Sequence, residues 1–154
     1  MTKAVSIGDI EGLKQLIYDK ANVEERSGMA GNTPLHCAAR ANQFEAVKLL
    51  LQNKSDVDAQ RKTDLLTPLH SASHAGNLKI VEYLVAAGAK YWLLDKKNNT
   101  PYDVAKRMKN NDVIEFLAVC SVHCICAMTC AITCKRCRPY LSANPRIQRC
   151  VLNE

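Results

Sequence analysis

Two histidines of this chain are of the type that acts as a general base, and both end the same tetrapeptide. TPLH places His36 at 33–36 and His70 at 67–70, and Ser71 and Asp64 lie close to the second histidine in sequence. No nucleophile elbow surrounds Ser71, and no glycine loop has the spacing of a phosphate-binding loop. A catalytic motif normally occurs once in a domain, whereas TPLH recurs and a degraded copy, TPYD, follows at 100–103. This recurrence predicts repeated architecture rather than an active site.

The cysteines are the other residues able to do chemistry, and seven of the eight lie after residue 119. Cys134 and Cys137 form a C-x2-C pair, and Cys124 and Cys126 form a C-x-C pair, with seven residues between the two pairs. A single helix cannot bring these pairs around one tetrahedral zinc ion, so a metal site requires the helix to break. We therefore expect no metal and no cofactor, with zinc bound by these four cysteines as the weaker alternative.

The apolar run FLAVCSVHCICAMTCAITC at 116–134 is followed at once by KRCR, and three interpretations of it stay open. We favour a helix whose stripe of small apolar residues covers the end of the folded domain. The alternatives attach the segment 116–138 to a membrane, either as a span or through palmitoylation of Cys134 and Cys137. After Ala118 only 16 residues remain, about 24 Å of helix against a hydrocarbon core of about 30 Å, so a span would be short.

Length and charge indicate one soluble domain followed by a basic segment. The chain has 154 residues and a net charge of +6; residues 1–118 carry 16 basic against 14 acidic residues (+2), and residues 119–154 carry 5 against 1 (+4). The balanced first part and the lack of a known nucleic-acid module argue against nucleic-acid binding. The first residues, MTKAVSIGDIEGLKQ, lack the apolar run of a secretory signal, so we expect a reducing compartment, the cytoplasm or the nucleus.

Residues about 34 positions apart align into four similar blocks. Each block holds a short helix rich in small residues, a break, and a second helix with apolar residues at helical spacing. Helices this short are marginal alone, so the hairpins must stack on one another, which predicts an all-α solenoid of helix-turn-helix units. The aligned blocks are AVSIGDIEGLKQLI (4–17), AARANQFEAVKLLL (38–51), ASHAGNLKIVEYLV (72–85) and AKRMKNNDVIEFLA (105–118).

The recurring motifs resemble those of the ankyrin repeat family. The family motif TPLHxAA stands here as TPLHCAA (33–39) and TPLHSAS (67–73), and the second-helix signature as FEAVKLLLQNKSDVDA (44–59) and LKIVEYLVAAGAKY (78–91). The resemblance implies an ankyrin-repeat solenoid with finger loops, in which a threonine caps and a proline begins each first helix, while the histidine links neighbouring loops. The matching positions are Thr33, Pro34, Leu35, His36, Thr67, Pro68, Leu69, His70, Thr100 and Pro101.

The resemblance covers about residues 1–118, and two positions depart from it. Lys54 and Leu65 stand where the family has glycine, so a positive φ there would cost on the order of 1 kcal/mol each. The expected organisation is a partial repeat (1–32), two full repeats (33–66 and 67–99), a degenerate terminal repeat (100–118), a Cys-rich apolar helix or tail (119–138) and a disordered end (139–154).

The resemblance implies a protein–protein interaction module, such as an adaptor, scaffold or inhibitor, rather than an enzyme. First helices and finger loops form the concave face of such stacks, and both carry basic residues here. This face would suit an acidic or phosphorylated segment of another protein, bound by a monomer. The alternatives are a merely solvated charged face and, for the tryptophan, a residue that covers the join between two repeats. The predicted contact residues are Arg40, His74, Arg107, Arg26, Arg61, Lys62, Lys96, Lys97 and Trp92.

Overall fold

Eight α-helices form within residues 1–19 and 21–127, which are the residues that the computed structural model describes. Consecutive helices pair into four hairpins, with a short turn inside each hairpin and a longer loop between hairpins. The helices are α1 (Thr2–Ile7), α2 (Ile10–Tyr18), α3 (Pro34–Arg40), α4 (Phe44–Gln52), α5 (Pro68–Ala75), α6 (Leu78–Ala86), α7 (Pro101–Met108) and α8 (Asn111–Ala127). We call the loop segments 26–32, 60–66 and 94–99 finger loops 1, 2 and 3.

The hairpins stack into two layers. Helices α1, α3, α5 and α7 pack one on the next as the inner layer, and α2, α4, α6 and α8 do so as the outer layer. Leucines recur at the same step of successive units and are buried, as Leu50, Leu84 and Leu117 are in the outer layer. Each buried leucine contributes about 1.5–3 kcal/mol. The predicted all-α solenoid of stacked hairpins is confirmed.

The inner helices α3, α5 and α7 begin with the same two residues. Each threonine side chain accepts a hydrogen bond from the backbone N–H three residues later, and each proline occupies the first turn, where no backbone N–H is needed. The leucine that follows the proline is fully buried at Leu35 and Leu69. The repeated cap therefore starts each inner helix at the same step of the stack. The capping pairs are Thr33 and Pro34, Thr67 and Pro68, and Thr100 and Pro101.

The turn inside each hairpin needs one residue in the left-handed region of φ. Gly8 and Gly76 supply it with φ of 76° and 75°, whereas Asn42 and Lys109 adopt φ of 57° and 60° at the same step. Glycine reaches this region without steric cost, and asparagine tolerates it better than most residues. Lys109 therefore carries the strain of the last hairpin.

The two positions where the sequence lacks an expected glycine are strained in the same way. Lys54 has φ of 62° after α4, while Gly88 holds φ of 92° at the same step after α6. Leu65 has φ of 58° in finger loop 2, where finger loop 1 has Gly31. The prediction of positive φ at both positions is confirmed.

The last helix is longer than the period of the repeats implies. The period places the end of the fourth unit at about Ala118, but α8 continues without a break to Ala127. Residues 116–127 contain neither glycine nor proline, so no residue there favours ending the helix. The expected boundary between a terminal repeat and residues 119–138 therefore falls inside one helix.

Candidate functional site

The two TPLH histidines are buried, and both ring nitrogens of each are engaged. His36 Nδ1 accepts the backbone N–H of Thr33 at 3.3 Å, so Nε2 carries the proton and donates to the Leu66 carbonyl at 2.8 Å. His70 repeats these contacts one unit later, with Nε2 3.1 Å from the Asn99 carbonyl. Each imidazole therefore links the start of its own helix to the next finger loop, which leaves neither nitrogen open to a substrate.

Electrostatics supports the same role for the histidines. Burial lowers the pKa of His36 from 6.5 to about 4, and burial also lowers the pKa of His70. In the fourth unit Asp103 takes the histidine's place and accepts the Thr100 backbone N–H at 3.0 Å. Hydrogen bonds from Thr100 hold the pKa of the Asp103 carboxyl below its usual value. A neutral imidazole and a carboxylate thus complete the same helix cap in different units.

Three predicted contact residues form a row along the inner layer. Arg40, His74 and Arg107 each lie six residues after the proline that begins α3, α5 and α7. Their side chains are all exposed. Since these helices pack in order, the row crosses three successive units.

Two of the predicted finger residues hold the loops together. Arg26 Nη1 donates to the Gln60 carbonyl at 2.6 Å, which ties finger loop 1 to finger loop 2. Arg61 Nη1 donates to Asn32 Oδ1 at 3.0 Å, and Arg61 Nε donates to Asp64 Oδ1 at 2.9 Å. These arginines position the fingers, and Arg61 is half-buried, so its guanidinium is not free for a partner.

The finger lysines differ from the arginines. Lys62, Lys96 and Lys97 are exposed, and within residues 1–19 and 21–127 none of them forms an ion pair. Trp92 lies just before finger loop 3, is 56% exposed, and meets the Tyr91 ring edge-on with the centroids 5.1 Å apart. Both the lysines and the tryptophan are therefore open to contact.

A cavity of about 300 Å³ lies between finger loops 2 and 3 and the helices α5 and α7. It brings together four of the nine predicted contact residues. The other five do not line it, namely Arg40, Lys62, Trp92 and the finger arginines Arg26 and Arg61. Two of the residues that line it are apolar. The lining residues include the basic His74, Lys96, Lys97 and Arg107, and the apolar Leu66 and Val104.

Two carboxylates beside this cavity are saturated by protein donors. Asp95 is only 7% exposed and accepts the backbone N–H groups of Lys97 and Asn99, both at 2.8 Å. Burial raises the pKa of both Asp64 and Asp95, but hydrogen bonds outweigh this effect and hold each pKa below its usual value. The donors are Arg61 for Asp64, and Asn99 and Lys97 for Asp95. The four basic groups of the cavity are therefore not paired with these carboxylates.

Two asparagines support the basic row, but neither was predicted from the sequence. Asn77 Nδ2 donates to the Ala39 carbonyl at 2.8 Å, and Asn110 Nδ2 donates to the Ser73 carbonyl at 2.8 Å. Each bond satisfies a carbonyl in the last turn of the inner helix of the preceding unit, α3 for Asn77 and α5 for Asn110. Each of these carbonyls lies next to a residue of the basic row. The two asparagines are 33 positions apart and therefore occupy the same position in successive blocks. This recurrence is the sequence signal that would have identified them.

The cysteine hypotheses concern atoms that the structure does not describe. Cys124 and Cys126 lie on α8, but their side chains are outside the described part, as are Cys134, Cys137 and the segment 139–154 entirely. Among the described residues, no group of three metal-binding side chains could hold an ion. No helix in the described part has the length and apolar character needed to cross a membrane.

Comparison with known proteins agrees with the architecture. A family model described as ankyrin repeats (3 copies) matches residues 1–95 and 59–129. Comparison with curated proteins gave no match. Ankyrin repeats are general protein–protein interaction modules, and the family is typically non-catalytic. Because the matched spans cover most of the 154 residues and the hairpins stack as two helical layers, the chain belongs to the ankyrin repeat family.

Proposed function

We propose that the chain is a non-catalytic binding module that holds another protein against its inner helices and finger loops, as an adaptor, scaffold or inhibitor. The observation that carries this proposal is the basic row. Arg40, His74 and Arg107 are exposed at the same step of three packed helices. In the described part of the chain, no ion pair neutralises Arg40 or Arg107.

The charge of this face indicates the chemistry of the partner. Lys62, Lys96 and Lys97 extend the basic row onto the fingers. Unpaired cations on a rigid concave surface attract an acidic or phosphorylated segment through charge-assisted hydrogen bonds. Such a segment would lie across several units, because the cations are spread over three of them. A monomer in the cytoplasm or the nucleus remains the predicted state and location.

Charge reversal on the row tests the proposal. The double variant Arg40→Glu and Arg107→Glu should capture the partner on the order of tenfold more weakly, since two attractions become repulsions. Lys48→Glu is the control for a single charge reversal away from the row, because Lys48 is exposed on the outer helix α4. Captured proteins are quantified for the wild type and each variant, with circular dichroism to verify helicity. Equal capture by the wild type and the double variant would refute the proposal.

A further inference from the structure

We propose that the cavity between finger loops 2 and 3 binds one leucine-sized apolar side chain of an acidic segment, with carboxylates on both sides of that side chain paired to the cavity's rim. This inference rests on the proposed function and specifies its ligand. The cavity volume of about 300 Å³ is at the small end of ligand pockets, which suits a single side chain.

Among the finger residues that line the cavity, Leu66 of finger loop 2 is the one apolar side chain. The carbonyls of Asn32, Leu66 and Asn99 each close their own finger loop by accepting a backbone N–H from its second residue. Finger loops 1 and 3 thus place an asparagine at this step, and finger loop 2 places a leucine. The Leu66 side chain, half-buried, lies with buried Val104 on the cavity wall. At this step, finger loop 2 alone of the three fingers therefore offers a partner an apolar side chain.

The rim of the cavity favours separate single charges. Its cations come from two elements, namely Arg107 from α7 and Lys96 with Lys97 from finger loop 3, and the His74 imidazole from α5 lies beside them. The carboxylates of Asp64 and Asp95 also border the cavity, and a phosphoryl dianion would be repelled by them more strongly than a carboxylate. Carboxylates distributed along a segment therefore match the rim better than one phosphoryl group.

Four synthetic peptides test the ligand chemistry with the full chain. The parent peptide carries one leucine flanked by glutamates in a glycine–serine background; the others change leucine to glycine, all glutamates to glutamine, or leucine to phosphoserine. The parent should bind tightest, and loss of the leucine should weaken binding about 10- to 100-fold, as expected for burying one leucine. The glutamine peptide should show no measurable binding. Affinities are measured by fluorescence anisotropy of labelled peptides.

Protein variants locate the binding to the cavity. Leu66→Asn introduces the residue that Asn32 and Asn99 already place at the same step, so the finger should still fold. This variant should bind the leucine and glycine peptides almost equally. Arg107→Gln should weaken the parent peptide about two- to fivefold, as for a partly exposed charge pair. Lys48→Gln, on the outer layer, should retain both the wild-type affinity and the preference for leucine.

The outcomes separate this inference from the proposed function. Equal binding of the leucine and glycine peptides to the wild type, tighter binding of the phosphoserine peptide, or no binding of any peptide would each overturn the cavity inference. If the double charge reversal at Arg40 and Arg107 still weakens partner capture, the proposed function stands in all three cases. A leucine preference that survives in Leu66→Asn would also overturn the inference, because another surface would then bind the leucine.

Discussion

Acidification should destabilise this protein through its buried imidazoles, and His36 provides the sharpest test. Its Nδ1 accepts the Thr33 backbone N–H at 3.3 Å, and its Nε2 donates to the Leu66 carbonyl at 2.8 Å. A second proton on the ring would sit on Nδ1, which lies 2.8 Å from the Thr33 hydroxyl oxygen as well as 3.3 Å from that N–H. The folded state opposes protonation chiefly by burial, and the positive charges of Arg61 and Arg26 lower the pKa further, while the hydrogen bond to the Leu66 carbonyl acts in the opposite direction.

The size of the effect follows from the two pKa values of His36. The pKa is 6.5 without the fold and about 4 within it, so the neutral ring is the form that the fold favours. Its contribution to the free energy of unfolding is complete above pH 6.5 and disappears as the pH falls toward 4. At about 1.4 kcal/mol per pKa unit, the loss is about 2 kcal/mol by pH 5 and about 3 kcal/mol by pH 4. His70, whose pKa is also lowered, adds to the loss in the same direction.

Urea unfolding followed by far-UV circular dichroism, at several values between about pH 7.5 and about pH 5, measures this loss. This window isolates the imidazoles. The carboxyl groups of Asp64, Asp95 and Asp103 have pKa values lowered from 3.8, so their stabilising contributions are intact above that pH and decline only below it. A fall in stability across the window therefore reports histidine protonation.

Removing the titrating ring distinguishes His36 from general effects of acid. His36→Gln should be less stable at about pH 7.5, but its stability should fall about 2 kcal/mol less than that of the wild type by about pH 5. Asn77→Ala destabilises the stack with both imidazoles intact, so it should keep the wild-type pH dependence. Equal losses in the free energy of unfolding for His36→Gln and the wild type over this window would refute the role of His36 in the pH dependence.

Further predictions concern strain and the bonds between units. Lys54→Gly, at φ 62°, should raise the free energy of unfolding by up to about 1 kcal/mol, as measured by urea unfolding; a decrease would contradict the strain argument. Asn110→Ala should lower the free energy of unfolding by about 1–3 kcal/mol in the same measurement, because it removes the hydrogen bond to the Ser73 carbonyl. Asn53→Ala, which removes a bond at an exposed helix end, should lower it less. Equal losses in the two variants would exclude a special role for the bond to Ser73. Gly76→Ala should reduce the thermal midpoint, since φ is 75° and the added Cβ would lie 2.9 Å from Asn110 Oδ1; an unchanged midpoint would contradict this.

Much of the fold could be predicted because its signals are local and repeated. TPLH and its degraded copy mark where inner helices begin, since the threonine cap and the proline act within one turn. The same register identified Lys54 and Leu65 as strained positions, and their φ values of 62° and 58° agree. The repeat period alone would end α8 near Ala118, but the favoured interpretation of the apolar run as a helix agrees with the course of α8 to Ala127, where the local sequence contains no residue that breaks a helix.

The candidate site was only partly predictable. Register alone placed Arg40, His74 and Arg107 in one row, because equivalent steps of a stack are neighbours. It could not distinguish the finger arginines from the finger lysines. Arg61 is bound by groups in its own finger and in finger loop 1, and such bonds depend on the final positions of loops about 30 residues apart in the chain.

The sequence by itself determined the repeat, the four hairpins and the surface that carries the basic row. Each of these depends on short-range capping and on an apolar pattern that recurs every 33 or 34 residues. Only the tertiary structure decided which basic groups are free, that Asn77 and Asn110 join successive units, and that Leu66 and Val104 line one cavity. These features need atoms from different units within a few ångströms of one another, and such distances exist only once the units have stacked.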